Sequence, residues 1–233
     1  MINLADISAV IFDMDGLVLD TESTYNSAWQ QAGKAMGYEL STDFCLSLSG
    51  LHYQAIELKL MAYCGADFNL QTFQRLSGAC WRVHVKDHGI AVKHGFTSLL
   101  DLLIRQKIPY GLATNSQLKN ALECLELAGI SEVFSTIISR DDVQQGKPAP
   151  DIFLKTAAVL QVDIRRCLVL EDSAAGIMAA SRAGAMSVFV PSILPVDPQM
   201  VELCDFMVND LAELAATIFN FAGTVVDAGV DSV

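Results

Sequence analysis

The chain's 233 residues are 52% apolar and 18% charged, a composition that builds a packed core. With 15 Lys and Arg against 27 Asp and Glu, the net charge of -12 excludes nucleic acid as a partner, since no basic run relieves it locally; a small anion held inside a pocket stays possible, because surface charge is screened over roughly 8 to 10 Å. No apolar run approaches the ~18 residues of a membrane span, no secretory signal opens the chain, and the six cysteines are scattered without C-x-x-C pairing, so a cytoplasmic protein with reduced thiols and no membrane partner is expected.

In chain order, AVIF (9–12) predicts a strand that ends abruptly at Asp13 of DMDGLVLDTE. Residues 20–90 carry helical spacing and no convincing strand, which predicts an all-helical cap inserted after the first strand. The remaining core is assigned to 1–19 and 91–221. Phe96, Leu99, Leu100 and Leu103 then mark a helix. IPYGLA (108–113) is a strand ending in Thr114-Asn115-Ser116, followed by a helix on Leu118, Ala121, Leu122 and Leu125. STIIS (135–139) predicts another strand, and Gly146, Pro148 and Pro150 then make a loop that carries Lys147. A helix on Phe153, Ala157 and Leu160 leads to CLVL (167–170), which stops at Glu171-Asp172-Ser173. A helix on Ile177, Ala180 and Gly184 precedes the fifth strand, SVFV (187–190). Residues 222–233 are small and poorly patterned and read as a flexible tail.

Alternating strands and helices, with apolar runs that do not alternate in polarity, predict an α/β fold with a Rossmann-like parallel sheet covered on both faces. Ligands then bind beyond the carboxyl ends of the strands, where the polar tips converge. Asp13 and Asp15 admit three explanations in isolation: a turn, a cation site, or carboxylates that do chemistry. Together with Glu171, Asp172, Lys147 and the Thr114-Asn115 pair, they favour the last two. Clustered carboxylates repel, and a hard divalent cation such as Mg²⁺ relieves that repulsion while keeping positions for phosphate oxygens. Asp13 is then placed as a nucleophile on phosphorus. Asp15 is placed as general acid and base, and Thr114, Asn115 and Lys147 as the grip on the phosphoryl group.

DMDGLVLDTE, ATNS (113–116), GKPAPD (146–151) and LEDSAAGIMAASRAG (170–184) resemble the four ordered motifs of the haloacid dehalogenase-like superfamily, over about residues 8–218. The helical insert is similar to that of the branch holding phosphoglycolate phosphatases and β-phosphoglucomutases. The resemblance implies Asp13 as nucleophile, Asp15 as acid and base, Thr114 as phosphate ligand and Lys147 as its charge partner. It also implies Mg²⁺ held by Asp13, the Asp15 carbonyl and Asp172, with Glu171 close by.

The expected activity is hydrolysis of a small phosphorylated metabolite, a sugar or organic-acid phosphate, by a monomer. A mutase is the alternative; it needs a cation in the insert for a second phosphate, whereas SGLHYQA offers Gly50, His52 and Tyr53 and no Lys or Arg. Those three residues are the expected specificity contacts. A silent binding protein is disfavoured because every reactive position is filled.

Overall fold

The computed structural model describes residues 6–48, 53–192 and 202–226, with backbone alone for 53–54 and 219–226. Six parallel strands form one sheet: β1 (Ala9–Phe12), β2 (Tyr110–Ala113), β3 (Ile137–Ile138), β4 (Cys167–Glu171), β5 (Met186–Phe189) and β6 (Phe206–Met207). Their order is β3-β2-β1-β4-β5-β6, so the chain builds outward from β1 to one side and then restarts at β4 on the other. The reversal opens a crevice at the carboxyl ends of β1 and β4. Phe12 pairs with Leu112 and Leu170, so Asp13, Ala113 and Glu171 lie at one level of the sheet.

Side chains of β1 alternate between two apolar layers. Val10 and Phe12 pack with α5 (Phe96–Arg105), α6 (Leu118–Leu127) and α9 (Leu211–Val226). Ala9 and Ile11 pack with α7 (Asp151–Val159) and α8 (Ala174–Ala183). Phe12 meets Phe96 and Phe134 edge to face, with centroids 5.6 and 5.9 Å away, contacts of about 0.5–1.5 kcal/mol each beyond their burial. The end of β1 is thereby fixed directly beneath Asp13.

Between β1 and α5 run four helices, α1 (Thr21–Ala35), α2 (Thr42–Leu46), α3 (Tyr53–Cys64) and α4 (Leu70–His88), with a core of their own around Leu40, Leu60, Phe68 and Phe73. Asp20 caps α1, and its backbone N–H donates to the Ala91 carbonyl while Lys93 N–H donates to Val18. The chain therefore leaves and rejoins the sheet through one hydrogen-bonded neck.

Two expectations change. The edge strand β6 has only two residues and no periodicity to read; Asp205 locks it by accepting from Ser187 N–H and Oγ at 2.8 and 3.0 Å. Helix α9 continues through Val226 into the segment assigned to a tail from 222, because Leu211, Leu214, Ala215 and Ile218 anchor it on the core at helical spacing. Among the described residues, no helix is long and apolar enough to cross a membrane.

None of the six cysteines is joined in a disulfide. Burial pushes Cys45 and Cys167 up to about 11 and Cys124 up to about 12, from an ordinary value of 9.0. An acid raised on folding favours the folded state below its unfolded pKa, and that contribution is lost as pH rises toward the folded one. The melting temperature is therefore expected to fall progressively between pH 9 and about 11, and these thiols to resist alkylation until the protein unfolds. Rapid alkylation of native protein at neutral pH would contradict this.

Candidate active site

Asp13 stands one residue beyond β1, with its N–H donating to the Leu170 carbonyl at 3.0 Å. Lys147 comes up from the loop before α7 and is almost wholly buried. Its ammonium donates to Asp13 Oδ1, to Glu171 Oε1 at 2.5 Å and to the Ala113 carbonyl at 2.8 Å, above the Phe153 ring at 5.0 Å. An ammonium has three donors, and all three are used here. The sequence predicts Lys147 as a grip on phosphate; here its ammonium orients and charge-balances Asp13. Burial acts to lower the Lys147 pKa, but the charges of Asp13 and Glu171 and its hydrogen bonds to both outweigh that and hold the ammonium above its ordinary range.

Asn115 also has a positioning task. Its carboxamide accepts from Lys147 N–H at 2.8 Å and donates to the Lys147 carbonyl at 3.1 Å, so the side chain predicted to bind phosphate splints the lysine loop. Gly146 permits this closure: a Cβ there would stand 2.5 Å from Asn115 Oδ1. Thr114 Oγ1 lies 3.4 Å from Asp15 Oδ2 and accepts from Ser116 N–H at 3.0 Å.

Two further residues belong to the site. Ser116 Oγ donates to Asp15 Oδ2 at 2.8 Å and sets the direction of that carboxylate. Ser192, just past β5, sits beside Asp172 and Glu22 and acts to lower both their pKa values against the rise from burial. The signal for both was their position at strand tips, the same signal that identifies Asp13 and Glu171.

Asp13, Glu171 and Asp172 each present a carboxylate oxygen within 4.8 Å of the others, the one such group of ligating side chains among the described residues. Burial raises Asp13 well above the usual carboxylate range, with Glu171 and Asp15 adding to the rise and Lys147 opposing it. Asp172 is raised by burial and then by Asp13 and Glu171. A single ammonium does not balance this charge, and a hard dication fits the all-oxygen donor set. Gly16, at φ +86°, brings the backbone against Asp172: a Cβ would lie 2.0 Å from Asp172 Oδ2. Both carboxylate oxygens of Glu171 are engaged. Oε1 takes the lysine, and Oε2 accepts from Asp172 and Ser173 N–H at 3.2 Å and from Ser173 Oγ at 2.9 Å. Ser173 in turn caps α8 by accepting from Gly176 N–H at 3.1 Å.

These groups face a cleft of ≈ 970 Å³ whose far wall is supplied by α1, α3 and α4. Tyr53 opens α3, but its side chain, like Gly50 and His52 altogether, lies outside the described residues.

Phosphorylated carbohydrates phosphatase of Thermotoga maritima is 29% identical over 188 residues, covering 78% of this chain and 84% of that protein. Fructose-1-phosphate phosphatase of Escherichia coli is 29% identical over 185 residues, covering 78% and 96%. The crystal structure of β-phosphoglucomutase from Clostridium difficile superposes with a TM-score of 0.69 at 26% identity, covering 94% of this chain and 99% of that one. The profile of the haloacid dehalogenase-like hydrolases matches residues 10–190, and the chain belongs to that family.

Proposed function

We propose that the protein is a Mg²⁺-dependent phosphatase of a small phosphorylated metabolite, acting through an aspartyl phosphate on Asp13. The observation that carries the reading is the buried Lys147 bridge between Asp13 and Glu171, with Asp15 held apart from it by Ser116. Lys147 and the surrounding hydrogen bonds keep Asp13 oriented as nucleophile. Asp15 gives its proton to the leaving oxygen and afterwards takes one from the attacking water, in the direction Ser116 and Thr114 impose. Asp13, Asp172 and the Asp15 carbonyl would hold the cation, which supplies charge stabilisation for the phosphoryl oxygens. Helices α1–α4, with their separate core, act as the cap and α5–α9 with the sheet as the catalytic core, in a cytoplasmic monomer. The carbohydrate-phosphate phosphatases among the relatives support this substrate range.

The mutase relative motivates a second reading, but among the described cleft residues Lys147 is the sole cation and its donors are taken, so that set supplies no free cation for a second phosphate. The deciding experiment incubates the protein and Mg²⁺ with a panel of phosphomonoesters and scores released phosphate separately from hexose phosphate interconversion. Phosphate release abolished by chelator is expected, whereas interconversion outpacing release overturns the phosphatase reading. In Asp15→Asn, an activated aryl phosphate should leave a trapped phosphoryl group on Asp13, since water then lacks its base. Intact mass measurement detects it, and slow turnover with no trapped group would remove Asp15 from the second step.

A further inference from the structure

Opposite the carboxylates, the cleft is walled by aromatic rings for which the chemistry at phosphorus has no use. Tyr25 lies nearly parallel to Trp81 across the contact between α1 and α4, with centroids 5.7 Å and planes 14° apart. It also stacks on Trp29, one turn along α1, at 6.1 Å and 23°. All three line the cleft, and Trp29 and Trp81 are the protein's two tryptophans. Trp81 is fixed by a hydrogen bond from Nε1 to Thr24 Oγ1 at 3.0 Å, and Thr24 in turn donates to the Thr21 carbonyl at 2.6 Å.

Such a stack also serves as packing between helices, and Trp29 and Trp81 do rest on the cores behind them. Tyr25 has a different position: it lines the cleft and is 37% exposed, so part of its side chain stays open to whatever enters. Ile56 and Met178 extend the apolar lining. Glu22, Gln74 and Ser77 line the same cavity and can serve hydroxyls, whereas the aromatic side chains offer stacking area that only a flat ring uses in full. Among the described residues that line the cleft, Thr21, 1% exposed, carries a buried hydroxyl without a hydrogen-bond partner, which offers one hydrogen bond to a linking group. A cavity of ≈ 970 Å³ is at the large end of the ~300–1,000 Å³ typical of small-molecule sites, more than a bare triose or pentose phosphate fills.

We propose that the leaving group carries an uncharged aromatic ring, so that the substrate is the monophosphate of a nucleoside or similar ring-bearing alcohol, its ring seated on Tyr25, Trp29 and Trp81. The proposal rests on the phosphatase reading for the phosphate end and on the aromatic wall alone for the other.

The test compares ribose 5-phosphate with the 5′-monophosphates of adenosine and uridine, which share phosphate and pentose and differ by the base. With Mg²⁺ present, kcat/KM is expected to be about tenfold or more higher for at least one nucleotide. Tyr25→Leu, which keeps apolar bulk, should reduce that ratio to about threefold or less, and Tyr25→Phe should restore it. Binding is read independently by titrating Asp13→Asn with adenosine or uridine and following the fluorescence of Trp29 and Trp81, expected to change saturably while ribose has no effect. Equal kcat/KM for ribose 5-phosphate and both nucleotides, with no fluorescence change, overturns the ring site and leaves the phosphatase reading standing. Saturable binding of the nucleosides with no ester hydrolysed would overturn the phosphatase reading and leave the ring site standing. A preference for glucose 6-phosphate over both nucleotides, lost in Tyr25→Leu, would show the wall stacking on a sugar face and overturn the proposal.

Discussion

Asp13→Asn is expected to reduce phosphate release by roughly 10³-fold or more while leaving the fold intact. The carboxamide has the size of the carboxylate and lacks the charge that attacks phosphorus. Folding should tolerate the change, because Asp13 is a buried anion whose protonation is already favoured by burial and by the charges of Glu171 and Asp15. Removing that anion relieves repulsion with Glu171 and Asp172, and Lys147 retains Glu171 and the Ala113 carbonyl. The melting temperature without divalent cation should thus equal or exceed that of the unmodified protein. Activity loss with an unchanged melt assigns Asp13 to chemistry. Turnover within about tenfold of the original removes it as nucleophile.

The parts of this site that were legible in the sequence are those fixed by the sheet. Five apolar runs locate β1 to β5, and a parallel sheet obliges their carboxyl ends to converge, so Asp13, Thr114, Glu171 and Asp172 follow from strand position alone. What the pattern does not carry is which donor meets which acceptor. Asn115 and Lys147 are 32 residues apart, and only the folded loop shows that the carboxamide grips the lysine's backbone. Ser116 and Ser192 are ordinary hydroxyl residues whose roles depend on which carboxylate the fold sets beside them. The aromatic wall is likewise a product of packing: Tyr25 and Trp29 share a helical face, but Trp81 joins them through the contact between α1 and α4.

Lys147→Met is expected to be the most destabilising single substitution in the site. Methionine keeps an unbranched apolar stem near Phe153 but removes the ammonium, which leaves Asp13 and Glu171 buried without a counter-charge. Breaking a buried pair from one side costs about 3–5 kcal/mol, and in a chain of this size each kcal/mol lowers the melting temperature by roughly 2 to 4 °C. A fall of about 6 to 20 °C at neutral pH follows. The loss should depend on pH with a definite sign. Asp13 already has a raised folded pKa through burial, and loss of Lys147 removes the main influence lowering it. A carboxyl raised on folding favours the folded state below its unfolded pKa, and that contribution is lost as pH rises through the folded value. The gap between Lys147→Met and the original protein should accordingly be widest at neutral pH and narrow toward about pH 4. Divalent cation should narrow it as well, since a cation at Asp13 and Asp172 restores part of the missing charge. Thermal melts across pH, with and without Mg²⁺, measure both effects. A loss of stability that is constant with pH would show that Lys147 matters by filling space, and that the charge of its bridge to Asp13 and Glu171 contributes nothing to holding the site together.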